Sequence, residues 1–381
     1  MKQVFVQLTA VGLLLIGNAT LYAQTGNTIN VVTTAVPFLR ISPDARAGGM
    51  GDVGIATAAD ANAAYWNAGK IPFSADQSSL VANYTPWLHN FSSDMYLASI
   101  AGYHKLDDQQ AIHGSLRYFN LGQLQFTDNM GNQLQSFRPR EFGIDVGYSR
   151  KLSERSGLGL TLRYIRSSLA SNGAGGSDYK AGNAFAADLG YYYDAKNTNG
   201  DGWSFGAALS NLGSKISYTS DANAKDYIPA NLGVGTAYTK VFDEQNKITF
   251  GLDVNKLLVP TSPAIGDSAG LVTYRNKSVM GSWFSSFGDA PGGFSEELKE
   301  VQISAGAEYW YNNQFALRAG YFYEDKTKGD RKYFTAGASV TYSVFTLNFS
   351  YLVPTGGGTT TNPLANTLRF GLSFNLDKEE K

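Results

Sequence analysis

Along much of this chain apolar and polar residues alternate one for one. Phe142, Ile144, Val146 and Tyr148 interleave with Glu141, Gly143, Asp145, Gly147 and Ser149. Leu158, Leu160, Leu162 and Tyr164 interleave with Gly157, Gly159, Thr161 and Arg163. The same rhythm runs through Ile248–Val254 and Leu368–Leu376. A period of two is the mark of a strand with two unlike faces, where a helix would show 3.6. A soluble sandwich shares that period, but here the second face carries Asp145, Arg163, Asp253 and Arg369 at strand centres. Tyr and Phe gather near the strand ends. Lipid-facing residues alternating with a polar lumen, between aromatic girdles, describe a transmembrane antiparallel β-barrel.

The pattern predicts strands over 77–85, 94–104, 110–120, 138–151, 156–168, 181–194, 202–211, 229–241, 246–257, 299–311, 314–324, 331–342, 344–352 and 365–376. Their connections alternate in length. Those at "KLDDQQ", "LSERS", "FDEQN", "YNNQ" and Ser343 are tight, and those at 121–137, 169–180, 212–228, 258–298 and 353–364 are long. Bacterial outer-membrane barrels have short periplasmic turns and long surface loops. The expected fold is therefore all-β, a barrel of about fourteen strands over 74–376, with a charged C-terminal tail at 377–381.

Composition fits an exported chain. Lys2 precedes an apolar run from Val4 to Ile16, and Ala23 offers a cleavage point, so residues 1–23 read as a signal peptide. With no cysteine, disulfides, thiolate metal sites and a Cys nucleophile are excluded. A net charge of -1 gives no footprint for nucleic acid. The mean hydropathy, -0.21, looks soluble, as it does for barrels whose strands alternate.

The segment 24–73 precedes the first strand and lacks a core of its own. A barrel of about fourteen strands has a lumen wide enough to need filling, so this segment is expected to be a lumenal plug. Asp60, with Ala61, Ala63 and Ala64 behind it, predicts a short capped helix. Gly49, Gly51 and Gly54 spell G-x-G-x-x-G, a dinucleotide fingerprint when it follows a buried strand. Pro37 and Pro43 break the stretch before it, so tight packing on the inner wall is the preferred reading. Arg46, Trp66 and Asn67 complete the expected plug-packing set.

An enzyme would need a site. The three histidines, His89, His104 and His113, form no metal cluster in the sequence. His113 and Ser115 share a strand face, as a lipid deacylase would need, but Arg117 shares it too. An arginine facing lipid costs about 2–4 kcal/mol near the midplane, so that face should look into the lumen. No catalysis and no cofactor are expected. The loop at 258–298 is long enough to be functional. Val279, Met280, Trp283, Phe284 and Phe287 recur at helical spacing as one apolar face, and Phe294 follows. Trp283, Phe284, Phe287 and Phe294 are the expected partner-binding residues, with lid-like packing over the barrel mouth as the alternative.

A plug ahead of fourteen strands resembles the FadL family of fatty-acid transporters, and "WNAGK" at Trp66–Lys70 is similar to its Asn-Pro-Ala-Gly plug element, with Ala68 in place of the proline. Residues 35–73 and 282–301 together resemble more closely the signatures of the PorV family of the type IX secretion system. That resemblance implies an outer-membrane carrier. Its partners would be the translocon barrel, secreted cargo bearing C-terminal signal domains, a surface sortase complex, and the lipopolysaccharide attached there. The second reading is a FadL-like transporter of hydrophobic small molecules.

Overall fold

The computed structural model describes residues 31–376 apart from 89–93, 128–129, 170–178, 222–223, 264–265 and 356–366. The expected signal peptide and the charged tail lie outside the described residues.

The strands are β1 (Ser78–Pro86), β2 (Met95–Lys105), β3 (Gln110–Leu121), β4 (Leu124–Thr127), β5 (Gln133–Phe137), β6 (Arg140–Lys151), β7 (Ser156–Ser168), β8 (Gly182–Asp194), β9 (Gly202–Gly213), β10 (Asn231–Val241), β11 (Asn246–Leu257), β12 (Gln302–Tyr311), β13 (Phe315–Tyr323), β14 (Lys332–Tyr342), β15 (Phe345–Pro354) and β16 (Leu368–Leu376). All but β4 and β5 form one closed barrel of antiparallel neighbours, sealed where β1 pairs with β16. Strands β4 and β5 form a separate hairpin inside the loop between β3 and β6, a hairpin absent from the sequence reading.

Alternation sets which face is which. Asn83, Arg117, Asp145, Arg163, Glu308, Arg318 and Arg369 are buried in the lumen, while Leu80, Ile100, Leu116, Val146, Leu162, Phe250, Leu317 and Leu347 lie exposed on the outer wall. One interruption occurs between β8 and β9. There the register shifts, Asn211 takes a positive φ of 56°, and Asp188 accepts its N–H at 2.6 Å. An asparagine tolerates that left-handed conformation, and the carboxylate satisfies the amide freed by the bulge.

The N-terminal segment crosses the lumen from end to end. At the long-loop end Thr33 Oγ1 meets Ser262 Oγ at 2.9 Å, and Ala35 N–H donates to the Tyr227 carbonyl at 2.9 Å. Phe38 and Leu39 then pack with Leu97, Phe119 and Ile165. Helix α1 (Ala45–Gly48) lies against β14–β16. At the short-turn end Gln77 N–H donates to the Leu376 carbonyl at 2.9 Å, and β1 begins.

The expected helix in this segment shrinks to one turn, α2 (Ala63–Trp66). Its N-cap is Asn62, which makes no side-chain cap bond, and not Asp60. Asp60 instead holds the preceding turn, accepting Asn62 N–H at 2.9 Å. Asn67 takes extended backbone, φ -165° and ψ 100°, and ends the helix there. Its side chain is committed elsewhere, as described below.

Candidate functional site

The segment is fastened to the wall by side chains that the sequence makes available on both sides. Arg46 forms the central joint. Its Nε and Nη2 each donate at 2.8 Å to one oxygen of Glu308 on β12, and its Nη1 reaches Asp60 at 2.9 Å. Glu308 also accepts from Arg318 Nε at 2.6 Å. The fork-on-fork geometry fixes orientation as well as charge. Asp44 caps α1 through Arg46 N–H and accepts from Trp66 Nε1 at 2.9 Å.

The glycines follow. Gly51 has φ +71°, and a Cβ there would lie 2.6 Å from the Tyr321 amide nitrogen. A Cβ on Gly54 would enter the Trp66 ring. Gly49 backs onto Gly337. The amides are spoken for as well. Gly51 N–H donates to Thr335 Oγ1 at 2.8 Å, and Gly54 and Ile55 N–H both donate to Asp253, at 2.7 and 2.9 Å. A dinucleotide loop needs free amides at the start of a helix after a strand. Here wall groups occupy the amides, and among the described residues no strand precedes them.

Asn67 closes the set. Its Nδ2 donates to the carbonyls of Ile55 and Tyr191, and its Oδ1 accepts Gly69 N–H at 3.0 Å. Arg46, Gly49, Gly51, Gly54 and Asn67 each meet a wall residue, whereas Trp66 bonds Asp44 and packs on Gly54 within the segment itself. Sequence reasoning did not single out Asp44, Asp52 or Thr335. Asp52 pairs with Arg369 at 2.5 Å and accepts from Tyr333 Oη at 2.8 Å. A signal existed: Asp44, Asp52 and Asp60 are isolated carboxylates in a Gly/Ala-rich stretch.

Not every wall charge meets the segment. Arg163 is bound by Asp145 and Asp188, both on neighbouring strands. Arg117 pairs with Asp145 and lies under the Tyr65 ring, 5.2 Å from its centroid. His113 and Ser115 face the lumen side with Arg117, and they do not meet. His113 Nε2 contacts Thr161 Oγ1, while Ser115 Oγ donates to Asp145. A lumenal cavity of about 110 Å³ has Arg40, Asp52, Arg117, Asp188 and Arg331 in its lining, beside Leu39, Ile55 and Phe322. A larger cleft of about 540 Å³ lies at the long-loop end, between Thr33–Pro37 and a wall that includes Ser262, Pro263, Leu271 and Tyr274.

The long connection carries α3 (Ser268–Asn276), α4 (Val279–Ser285) and α5 (Phe294–Glu297). Ser278 caps α4 by accepting Gly281 N–H at 3.0 Å. The expected single apolar face is split. Ser282 and Ser286 are fully buried and form the inward side, and Trp283 is half-buried. Met280, Phe284 and Phe287 point outward at 64, 76 and 50 % exposure, and Phe294 is 76 % exposed. The small serines take the inward side and leave the large rings outside.

A buried charge cluster holds this loop down. Lys256 Nζ donates to Glu297 at 2.9 Å and Glu300 at 2.7 Å. Lys328 Nζ donates to Glu296 at 2.6 Å and Glu300 at 3.0 Å. Burial works against the Lys328 charge, but the bonds from Glu296 and Glu300 outweigh it and raise its pKa above that of free lysine.

A closed fourteen-strand barrel with a polar, occupied lumen defines a FadL-like β-barrel of the outer-membrane type. The Pseudomonas putida toluene transporter TodX shares this fold at 12 % identity and TM-score 0.53, over 87 % of this chain and 98 % of that one. The Ralstonia pickettii toluene transporter TbuX does so at 13 % and 0.51, over 88 % and 98 %. Within that class, the family model for the type IX secretion system protein PorV matches residues 23–264, and the chain belongs to the PorV family. A search of curated proteins matches nothing.

Proposed function

We propose that this protein is a non-enzymatic carrier of the type IX secretion system. It takes cargo bearing a C-terminal signal domain from the translocon barrel and delivers it to the sortase complex at the cell surface. Family membership places it within that system, and the step to a carrier rests chiefly on one observation. Phe284, Phe287 and Phe294 stand outward on a loop clamped by Lys256 and Lys328. Large exposed apolar patches mark interaction sites. In this reading the long loops face the cell exterior and residues 24–73 act as a fixed plug.

The transporter reading needs an apolar path through the barrel. The cleft at the mouth has Leu169, Pro263, Leu271 and Tyr274 in its lining, which suits it. Below the cleft Arg40, Asp52, Arg117, Arg163, Asp188 and Arg331 enter the cavity lining, which does not.

The test is co-purification at matched abundance in the outer membrane. Phe284→Ser with Phe287→Ser should lower recovery of cargo and translocon about thirtyfold, the effect of losing about 2 kcal/mol at a buried anchor. Lys326→Ala, on a neighbouring loop, should not. Full recovery with the double variant would make this loop a lid and move the docking surface elsewhere.

A further inference from the structure

Six aromatic residues on adjacent strands make a continuous belt on the outer wall: Tyr84, Tyr96, Tyr118, Phe142, Tyr164 and Phe185. Tyr84–Tyr96, Tyr96–Tyr118, Phe142–Tyr164 and Tyr164–Phe185 are in ring contact, and Tyr118 is the ladder partner of Phe142. Such a belt marks the level of the membrane interface.

Just above it, toward the long-loop end, stand Arg140 on β6 and Arg166 on β7. Each is two residues beyond its belt residue, Phe142 or Tyr164, a rise of about 6–7 Å. That step leads from the rings to the height of lipid headgroups. Register makes the two arginines diagonal neighbours on the outward face. Arg140 lies opposite Ser168 and Arg166 opposite Phe142, which sets them about 7–8 Å apart. Both are exposed, as are Arg138 and Lys180 beside them.

Their contacts are neutral. Arg166 Nη1 donates to Asn183 Oδ1 at 3.4 Å, and that oxygen also accepts from Tyr164 Oη at 2.7 Å. Arg138 donates to Gln123 Oε1 at 3.1 Å. Among the described residues no salt bridge reaches any of these four cations. Lys332, on the same rim at β14, is by contrast paired with Asp330 at 3.1 Å.

Guanidinium groups that meet no carboxylate among the described residues, just above a ring belt, have a matching partner. Arginine presents several donors to phosphate oxygens at once, and the rings below suit acyl chains. We propose that the outer wall at β6–β8 binds the phosphorylated headgroup of an outer-leaflet glycolipid, with Arg140 and Arg166 as phosphate ligands. The assignment to the outer leaflet rests on the proposed outward orientation of the long loops.

Native mass spectrometry of the full mature barrel in mild detergent, with a phosphorylated acyl-disaccharide added, tests this. A lipid adduct is expected, and Arg140→Gln with Arg166→Gln should cut the bound fraction at least tenfold. Arg150→Gln, at the opposite end of β6, should leave it unchanged. The unphosphorylated disaccharide should bind native and double variant alike. Excess inorganic phosphate should not displace the lipid, because the belt holds its chains. Equal adducts on native protein and double variant overturn the proposal, and so does complete displacement by phosphate alone. Orientation is read separately by maleimide labelling of Ser285→Cys on intact cells. A failure there removes the outer-leaflet assignment and leaves the adduct measurement to stand by itself.

Discussion

Gly51 and Arg46 show two ways in which single residues hold the N-terminal segment. Gly51 is needed for its backbone, since φ +71° and the nearby Tyr321 main chain leave no place for a Cβ. A left-handed non-glycine residue costs about 1–2 kcal/mol before any overlap is counted. Gly51→Ala should therefore raise tryptic cleavage after Arg46 and Lys70, while the barrel keeps its heat-modifiable mobility on gels. Arg46 is needed for its charge. Arg46→Met strands one side of Glu308, and breaking a buried pair costs on the order of 3–5 kcal/mol. Amide exchange across 44–66 should speed up. Adding Glu308→Gln to Arg46→Met should restore part of the protection, because the buried carboxylate is then gone. If the double variant exchanges as fast as the single one, charge burial is not the cause.

The same distinction between contact and support governs the long loop. Phe284 and Phe287 present surface, whereas Glu300 touches no partner and bridges Lys256 and Lys328. Glu300→Ala leaves two buried ammonium groups short of an acceptor. Exchange in α4 and α5 should rise, and cargo recovery should fall even though every aromatic remains. Retained recovery with rapid exchange would mean that the loop needs no fixed shape. These elements also mark where sequence legibility ends. The barrel strands lie within three residues of their expected bounds, because one buried face and one lipid face impose a strict period. Loop helices obey no such constraint. The aromatics of α4 recur at helical spacing, but that spacing does not reveal that Ser282 and Ser286, not the rings, take the buried side. In the N-terminal segment the glycines were legible as packing positions, while their partners were not. Thr335 and Asp253 lie 284 and 199 residues away from the amides they receive, and no local pattern links them.

At the scale of the whole barrel, the filled lumen has an electrical consequence. With Arg46, Asp52 and Asn67 seated against the wall, purified protein in planar bilayers should show no steady conductance. Gly51→Leu should produce openings, and a quiet record from that variant would place the seal elsewhere. The direction of the N-terminal segment bears on something else, the birth of the molecule. Its described start lies at the long-loop end, by Ser262 and Tyr227, and it leaves at the short-turn end into β1. The seam between β1 and β16 closes the ring around a strand of its own chain. A closed hoop cannot be threaded by anything wider than its bore, so the segment has to be laid across the nascent sheet before the last ladder zips. A short peptide tag ahead of Gln24 should pass, whereas a fast-folding globular fusion there should stall insertion with the seam open. Pulse-chase of the heat-modifiable form would separate the two. The segment from Val31 to Gln77 is in this sense a needle's thread, and its passage through the ring is a requirement of biogenesis.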